Sequence, residues 1–193
     1  MRTHHNGIHA MGGNRVHEQR RSMIWINVLG GSAVLASYAY GLASNPLTRG
    51  DVWGGVPETL RPLYTITMLL AAAGYFAFSF FVFFKVDPDT ARIGDRFGFG
   101  AFNACYAMIL VPSALWMPLT FEMLEAPGVG LWWAIRLVLG AVGIGSLGLL
   151  AAIVAVRPVS APGARRVALA GSVAFCFQTA VMDALVWPAF FPV

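Results

Sequence analysis

Charge is scarce in this sequence. Only 11% of its 193 residues are Asp, Glu, Lys or Arg, where a water-soluble domain carries about 25%. That shortage excludes an ordinary soluble fold and points to helices packed in lipid. Histidine is missing from every apolar segment, since His4, His5, His9 and His17 all precede the first one. No segment can therefore offer an axial imidazole to haem or chlorophyll, which argues against a cytochrome b-type subunit. No His and carboxylate cluster is present to hold a catalytic metal, so none is expected. No Lys lies deep in an apolar run, which removes a retinal Schiff base. Cysteine is limited to Cys105 and Cys176. Both fall inside apolar segments, where a thiol packs as a small apolar residue, so neither a disulfide nor a Cys-ligated metal is expected. The chain has no H-E-x-x-H, no G-x-S-x-G and no phosphate loop. It has no detectable internal repeat, which fits a transporter poorly.

Apolar residues, by contrast, make up 58% of the chain. They gather into five runs, roughly 24–43, 63–84, 99–121, 131–156 and 167–191. About 20 residues suffice to cross the hydrocarbon core as a helix. The bilayer interior requires every backbone group to be bonded internally, so runs of this length are helices. The expected fold is all-α: a polytopic membrane protein built as a bundle of five transmembrane helices. Residues 1–22 form a polar, basic tail and residues 23–193 the transmembrane domain. The first run is longer than a signal-peptide core and is followed by no clear A-x-A site, so it reads as a retained helix. The His-containing start of the tail could bind a metal weakly but reads better as a solvated end.

Basic residues set the orientation. Arg2, Arg15, Arg20 and Arg21 in the tail, Lys85, Arg92 and Arg96 in the second connection, and Arg157, Arg165 and Arg166 in the fourth all fall on one side. The other side has Arg49, Arg61 and Arg136, and the third connection carries Glu122 and Glu125 without a cation. The positive-inside bias predicts an integral membrane protein with a cytoplasmic N-terminus and an external C-terminus. The net charge of +4 lies in these connections and does not indicate nucleic acid.

The first connection, 44–62, is long and punctuated by Asn45-Pro46, Trp53-Gly54-Gly55 and Arg61-Pro62. It reads as either a lid or a mobile linker. Ala33, Ser37 and Gly41 on the first helix, and Ala141, Gly145, Gly148 and Ala152 on the fourth, have the spacing that lets membrane helices approach closely. Both helices are expected to pack centrally. The second helix is Phe-rich on every side, which suggests lipid contact as much as packing. Asp87-x-Asp89 lacks the other oxygen ligands of a calcium loop and reads as a solvated turn.

The most informative stretch is Ser113 to Arg136. It holds Trp116, Trp132 and Trp133, a helix-interior Pro118, and Arg136 inside an apolar run. Trp132 and Trp133 suit interfacial anchors; the competing reading is the wall of a ligand pocket near one face of the bilayer. Polar groups inside lipid are costly and by default mark function or a specific pairing. They are Asn103, Tyr106, Ser113 and Thr120 on the third helix, Arg136 on the fourth, and Gln178, Thr179 and Asp183 on the fifth. Counting residues puts Asp183 ~12 Å and Arg136 ~8 Å in from the same face. An Arg136–Asp183 ion pair, direct or bridged by water, is expected, either locking two helices or walling a polar patch. Thr179, Asp183 and Trp187 are spaced four apart and are expected on one face, as are Ser113, Trp116 and Thr120.

The stretch S-A-L-W-M-P-L-T-F, ending the third helix, resembles the tryptophan-rich sensory protein/translocator protein family (TspO/MBR). That family's third helix ends in N-x-x-W-x-P-L-F-F, so Trp116, Pro118, Leu119 and Phe121 match, with Ser113 in place of Asn and Thr120 in place of an aromatic. The connection carrying Trp53, Pro57, Arg61 and Pro62 stands where the family has an aromatic, Pro-rich loop, without its double-Pro signature. The fifth helix does not match the family's usual ending. The resemblance implies five helices and a pocket, closed by the first loop, for porphyrins, sterols or similar flat lipophiles.

The expected function is binding or sensing of a hydrophobic small molecule, porphyrin- or sterol-like, in an aromatic-lined cavity near the outer leaflet. The expected site residues are Trp116, Pro118, Tyr106, Trp132, Trp133, Arg136, Asp183 and Trp187, covered by a loop with Trp53. No covalent cofactor, catalytic residue or metal is expected; a tetrapyrrole or sterol would be held non-covalently among membrane lipid. The alternative is a structural or accessory subunit of a larger membrane complex, or a homodimer. An isomerase-type lipid enzyme using Asp183 with Glu122 is the remaining reading.

Overall fold

The computed structural model describes residues 18–191; the histidine-bearing start of the tail lies outside them. Five helices are long and apolar enough to cross a bilayer: α1 Glu18–Ser44, α2 Arg61–Lys85, α3 Gly100–Glu125, α4 Val129–Ala155 and α5 Pro162–Phe190. The chain is an integral membrane protein on that evidence of length and composition. Each expected run became one helix, extended at its ends by polar residues that satisfy carbonyls left free by the last turn. Asn45 Nδ2 donates to Gly41 O at the end of α1, Ser160 Oγ to Lys85 O at the end of α2, and Arg165 to Ile153 O and Val154 O at the end of α4.

Helices α3 and α4 form an antiparallel hairpin, α5 packs on both α4 and α2, and α1 lies against α3. A hydrogen bond from the Tyr75 hydroxyl to Asn27 Oδ1 ties α2 to α1. The second and fourth connections meet at one end through a two-residue antiparallel pair, β1 Arg92–Ile93 with β2 Val156–Arg157. We call this the basic end. The first and third connections share the opposite, aromatic end.

The core divides accordingly. Toward the basic end Phe78, Phe81, Phe102, Tyr106 and Leu149 pack together; toward the aromatic end Tyr64, Trp132, Ile135, Trp187 and Phe191 do so. Aromatics of α2 serve both purposes expected of them: Phe78 and Phe81 are buried, while Phe76, Phe80 and Phe84 face outward. The fourth helix is central as expected, with Gly145 against Met108 and Ile109 and Gly148 against Cys105. The first is not. Gly41 packs on Met117 and Phe121, but Ala33 is exposed, and Ser37 bonds its own helix at Val34 O. Leu35 and Tyr40 stand almost bare, so α1 is a peripheral helix with one narrow contact strip. The closest approach of two backbones occurs at a crossing the spacing rule did not select, where Gly74 of α2 meets Gly171 of α5.

Two stretches widen to π-helix, Ile26–Gly30 in α1 and Phe177–Val186 in α5. Both carry polar side chains, Asn27 in one and Gln178, Thr179 and Asp183 in the other. Such widenings frequently mark functional sites.

Candidate functional site

The first connection is a packed strap across the aromatic end. Asn45 ends α1, a short 3₁₀ turn covers Asp51–Trp53, and Val56 is buried. Two hydrogen bonds tie the strap to α5, from Gly55 N to Phe190 O (2.7 Å) and from Trp187 Nε1 to Val52 O (3.0 Å). Gly54 has φ +55°, and a Cβ there would collide with Phe191. Only glycine combines that left-handed backbone with so close an approach. Trp53 stands edge-on to Tyr64 at 5.9 Å with the Arg61 guanidinium over its ring.

Beneath the strap runs a chain of aromatic rings from four elements. Tyr38 of α1 lies 5.6 Å from Trp116 of α3, Trp116 lies 5.8 Å from Trp187 of α5, Trp187 lies 4.5 Å from Phe191, and Phe191 stacks on Trp132 of α4 at 6.1 Å. Tilted, edge-on and offset-stacked arrangements such as these are the ones aromatic quadrupoles favour. Trp116 is placed by the Pro-containing end of α3. Pro118 has no N–H to donate to Ala114 O; separately, Thr120 Oγ1 donates back to Trp116 O at 2.8 Å. Trp116 Nε1 is buried and has no hydrogen-bond partner among the described residues.

Asp183 sits behind this chain. Its Oδ1 accepts from Gln178 Nε2 at 2.7 Å, a contact five residues apart that the π-helical winding creates. The Tyr64 hydroxyl donates to the carbonyl of Met182, the residue before Asp183, at 3.0 Å. Thr179 Oγ1 bonds Ser146 Oγ of α4 at 2.8 Å. Gln178 is buried and its Oε1 is unpartnered among the described residues.

The expected Arg136–Asp183 ion pair does not form. The single ion pair among the described residues is Arg61–Glu58, at 3.9 Å. Helix α4 turns Trp132, Ile135 and Leu139 into the bundle, which leaves Arg136 outward with Trp133 and Leu137. Its guanidinium lies 5.3 Å from the Trp132 ring and 5.4 Å from the Trp133 ring. Counting residues along the helix did not give the direction in which Arg136 points around it.

Of the expected site residues, Trp116, Trp132, Trp187 and Asp183 come together, and Trp53 caps them from the strap. Tyr106 does not join them. It is fully buried toward the basic end, paired with Ser79 Oγ at 2.9 Å and packed on Tyr75 and Phe78. Trp133 and Pro118 face outward. Sequence reasoning missed Tyr38, Tyr64 and Phe191, and did not carry Gln178 into the site. Gln178 was visible as a polar residue in an apolar run, while the others gave no signal apart from aromaticity. Ser113, grouped with Trp116, bonds Ile109 O in its own helix.

A cleft of about 310 Å³ opens between the strap and the α3–α4 turn, lined by Asp51, Gly54, Met123, Leu124, Pro127 and Phe191. Phe191 is both its floor and a member of the aromatic chain. Neither Asp183 nor Glu122 lines it, so the two carboxylates of the isomerase reading do not face this space. No family model, curated protein or solved structure matches the chain.

Proposed function

We propose that this membrane protein binds a flat hydrophobic small molecule, porphyrin- or sterol-like, at the aromatic end of the bundle. The observation that carries the reading is Trp116 Nε1, a buried donor without a partner inside a wall of aromatic rings. Leaving such a donor unsatisfied costs about 1–3 kcal/mol, and a ligand carbonyl or carboxylate would recover it. Ligand sites combine aromatic walls with a few polar groups in this way. The cleft volume lies at the bottom of the ~300–1,000 Å³ range for drug-sized ligands, so a tetrapyrrole would enter only by displacing the strap and Phe191. The likeness of the Trp116–Phe121 stretch to the TspO/MBR motif supports the same ligand class. The basic end faces the cytoplasm in this reading and the aromatic end faces out, by the positive-inside rule.

Trp fluorescence of the detergent-purified protein, titrated with protoporphyrin and with cholesterol and corrected for porphyrin absorbance, tests the reading. Saturable quenching at micromolar ligand, weakened in Trp116→Phe, is expected. A response that never saturates and is equal in both proteins would overturn it. The accessory-subunit reading would then lead, with the bare face of α1, including Leu35 and Tyr40, as the surface offered to a partner.

A further inference from the structure

We infer that Arg92 and Arg157, at the basic end, form a clamp for the phosphodiester of an anionic phospholipid. In the β1–β2 pair these two residues are direct cross-strand partners. Cross-strand partners share one face of the ladder, with Cα atoms about 4.5–5.5 Å apart. Burial alternates along both strands: Ile93 and Val156 turn into the core, and Arg92 and Arg157 turn outward. The fold therefore sets two guanidinium groups side by side on its surface.

Like charges directly opposite on a sheet repel. Neither arginine has a carboxylate within 4.0 Å among the described residues. Asp87, the acidic residue closest to the end of α2, directs its oxygens to Asp89 N and Thr90 Oγ1. Each arginine commits one Nη1 donor to the carbonyl just before it, Ala91 O or Val156 O. A guanidinium has five donors in a planar fork suited to phosphate, so most of the donor set stays available. An anion placed between the two groups turns the repulsion into attraction.

The position selects a lipid as the anion's source. The strand pair lies where α2 and α4 end and α3 and α5 begin, the level at which lipid headgroups would meet a bundle of this length. Exposed Phe97 is bonded back to Ile93 across a three-residue turn, and exposed Phe84 ends α2 beside Lys85. Apolar rings next to paired cations match a phospholipid, with an acyl chain beside its phosphate. A soluble phosphate would have no use for the rings.

The test compares the wild type with R92Q/R157Q and with R20Q/R21Q, which removes two exposed arginines from the same end. Each protein is placed in nanodiscs of equimolar phosphatidylcholine and phosphatidylglycerol, extracted in mild detergent, and its retained lipid quantified by mass spectrometry. An arginine beside an anionic lipid surface is worth about fivefold in affinity, so R92Q/R157Q is expected to lose retained phosphatidylglycerol by about 25-fold while R20Q/R21Q keeps most of it. Equal loss in both would mean diffuse attraction and overturn the clamp; no loss in either would also overturn it. Saturable binding of inorganic phosphate to the protein in pure phosphatidylcholine discs would reassign the site to a free anion. If R92Q/R157Q fails to fold, R92K/R157K keeps the charge and loses the fork. It should still retain less phosphatidylglycerol than R20K/R21K, and equal retention would count against the clamp.

Discussion

Asp183 is a carboxylate inside a membrane helix, and the group that meets it is an amide of its own helix. Gln178 Nε2 is its single hydrogen-bond donor among the described residues. Gln178→Leu removes that donor and is expected to lower stability by about 1–3 kcal/mol. Replacing both partners with apolar groups costs much less than breaking the pair from one side. Q178L/D183L should therefore be more stable than the sum of its single changes predicts. Thermal unfolding of the three variants in one detergent reads this directly, and strict additivity would show that the two side chains do not act together. Arg136 behaves differently. It faces outward and rests on two indole rings. Exposed cation–π contacts are worth about 0.5–1 kcal/mol, so Arg136→Gln should change the unfolding temperature only slightly. A loss as large as that of Q178L would mean that Arg136 reaches a buried anion.

At the scale of the helix, packing is decided where backbones meet. Gly74 of α2 and Gly171 of α5 touch so closely that a Cβ on either would strike the other's backbone. Gly74→Ala must push the two helices apart, and overpacking of this kind costs about 1–3 kcal/mol. Gly140→Ala faces open space in α4 and should instead be neutral or slightly stabilising, because alanine is the better helix former by up to about 1 kcal/mol. Comparing the two melts checks the assignment; equal melts would remove the crossing from the account. Gly74 also marks what the sequence could not tell. Five helices were legible because length and hydropathy suffice to define a span. The partner of each helix was not, because lipid-facing and protein-facing surfaces are both apolar. Ala33, Ser37 and Gly41 have the same small-residue spacing as the α4 stripe, yet α1 lies at the edge. The π-helical turn at Phe177–Val186 was equally hidden, and with it the Gln178–Asp183 contact. Trp116, Trp132 and Trp187 were legible as a group, since tryptophan is rare and costly to leave idle; Tyr38 and Phe191 looked like any other membrane aromatic.

Across the whole molecule, the two ends differ in chemistry more than the helices differ from one another. One end gathers Arg92, Arg96, Arg157, Arg165 and Arg166 around a small strand pair. The other carries the strap, the cleft and the aromatic chain. Five crossings are an odd number, so the start of α1 and the end of α5 lie on opposite sides of the bilayer, and fixing one connection fixes all of them. We propose, from the cost of translocating arginine, that the basic end faces the cytoplasm. The strap would then open to the outside, and a ligand would arrive from the outer leaflet. Thr48 on the strap and Asp89 beside the strand pair are both exposed and outside the helices. In a chain whose Cys105 and Cys176 are replaced by alanine, Thr48→Cys should react with a membrane-impermeant maleimide on intact cells. Asp89→Cys should react only after the cells are opened. The reverse pattern would turn the bundle over, bringing the aromatic cleft to the cytoplasm and the Arg92–Arg157 pair to the outer leaflet. Any ligand of the cleft would then have to come from inside the cell.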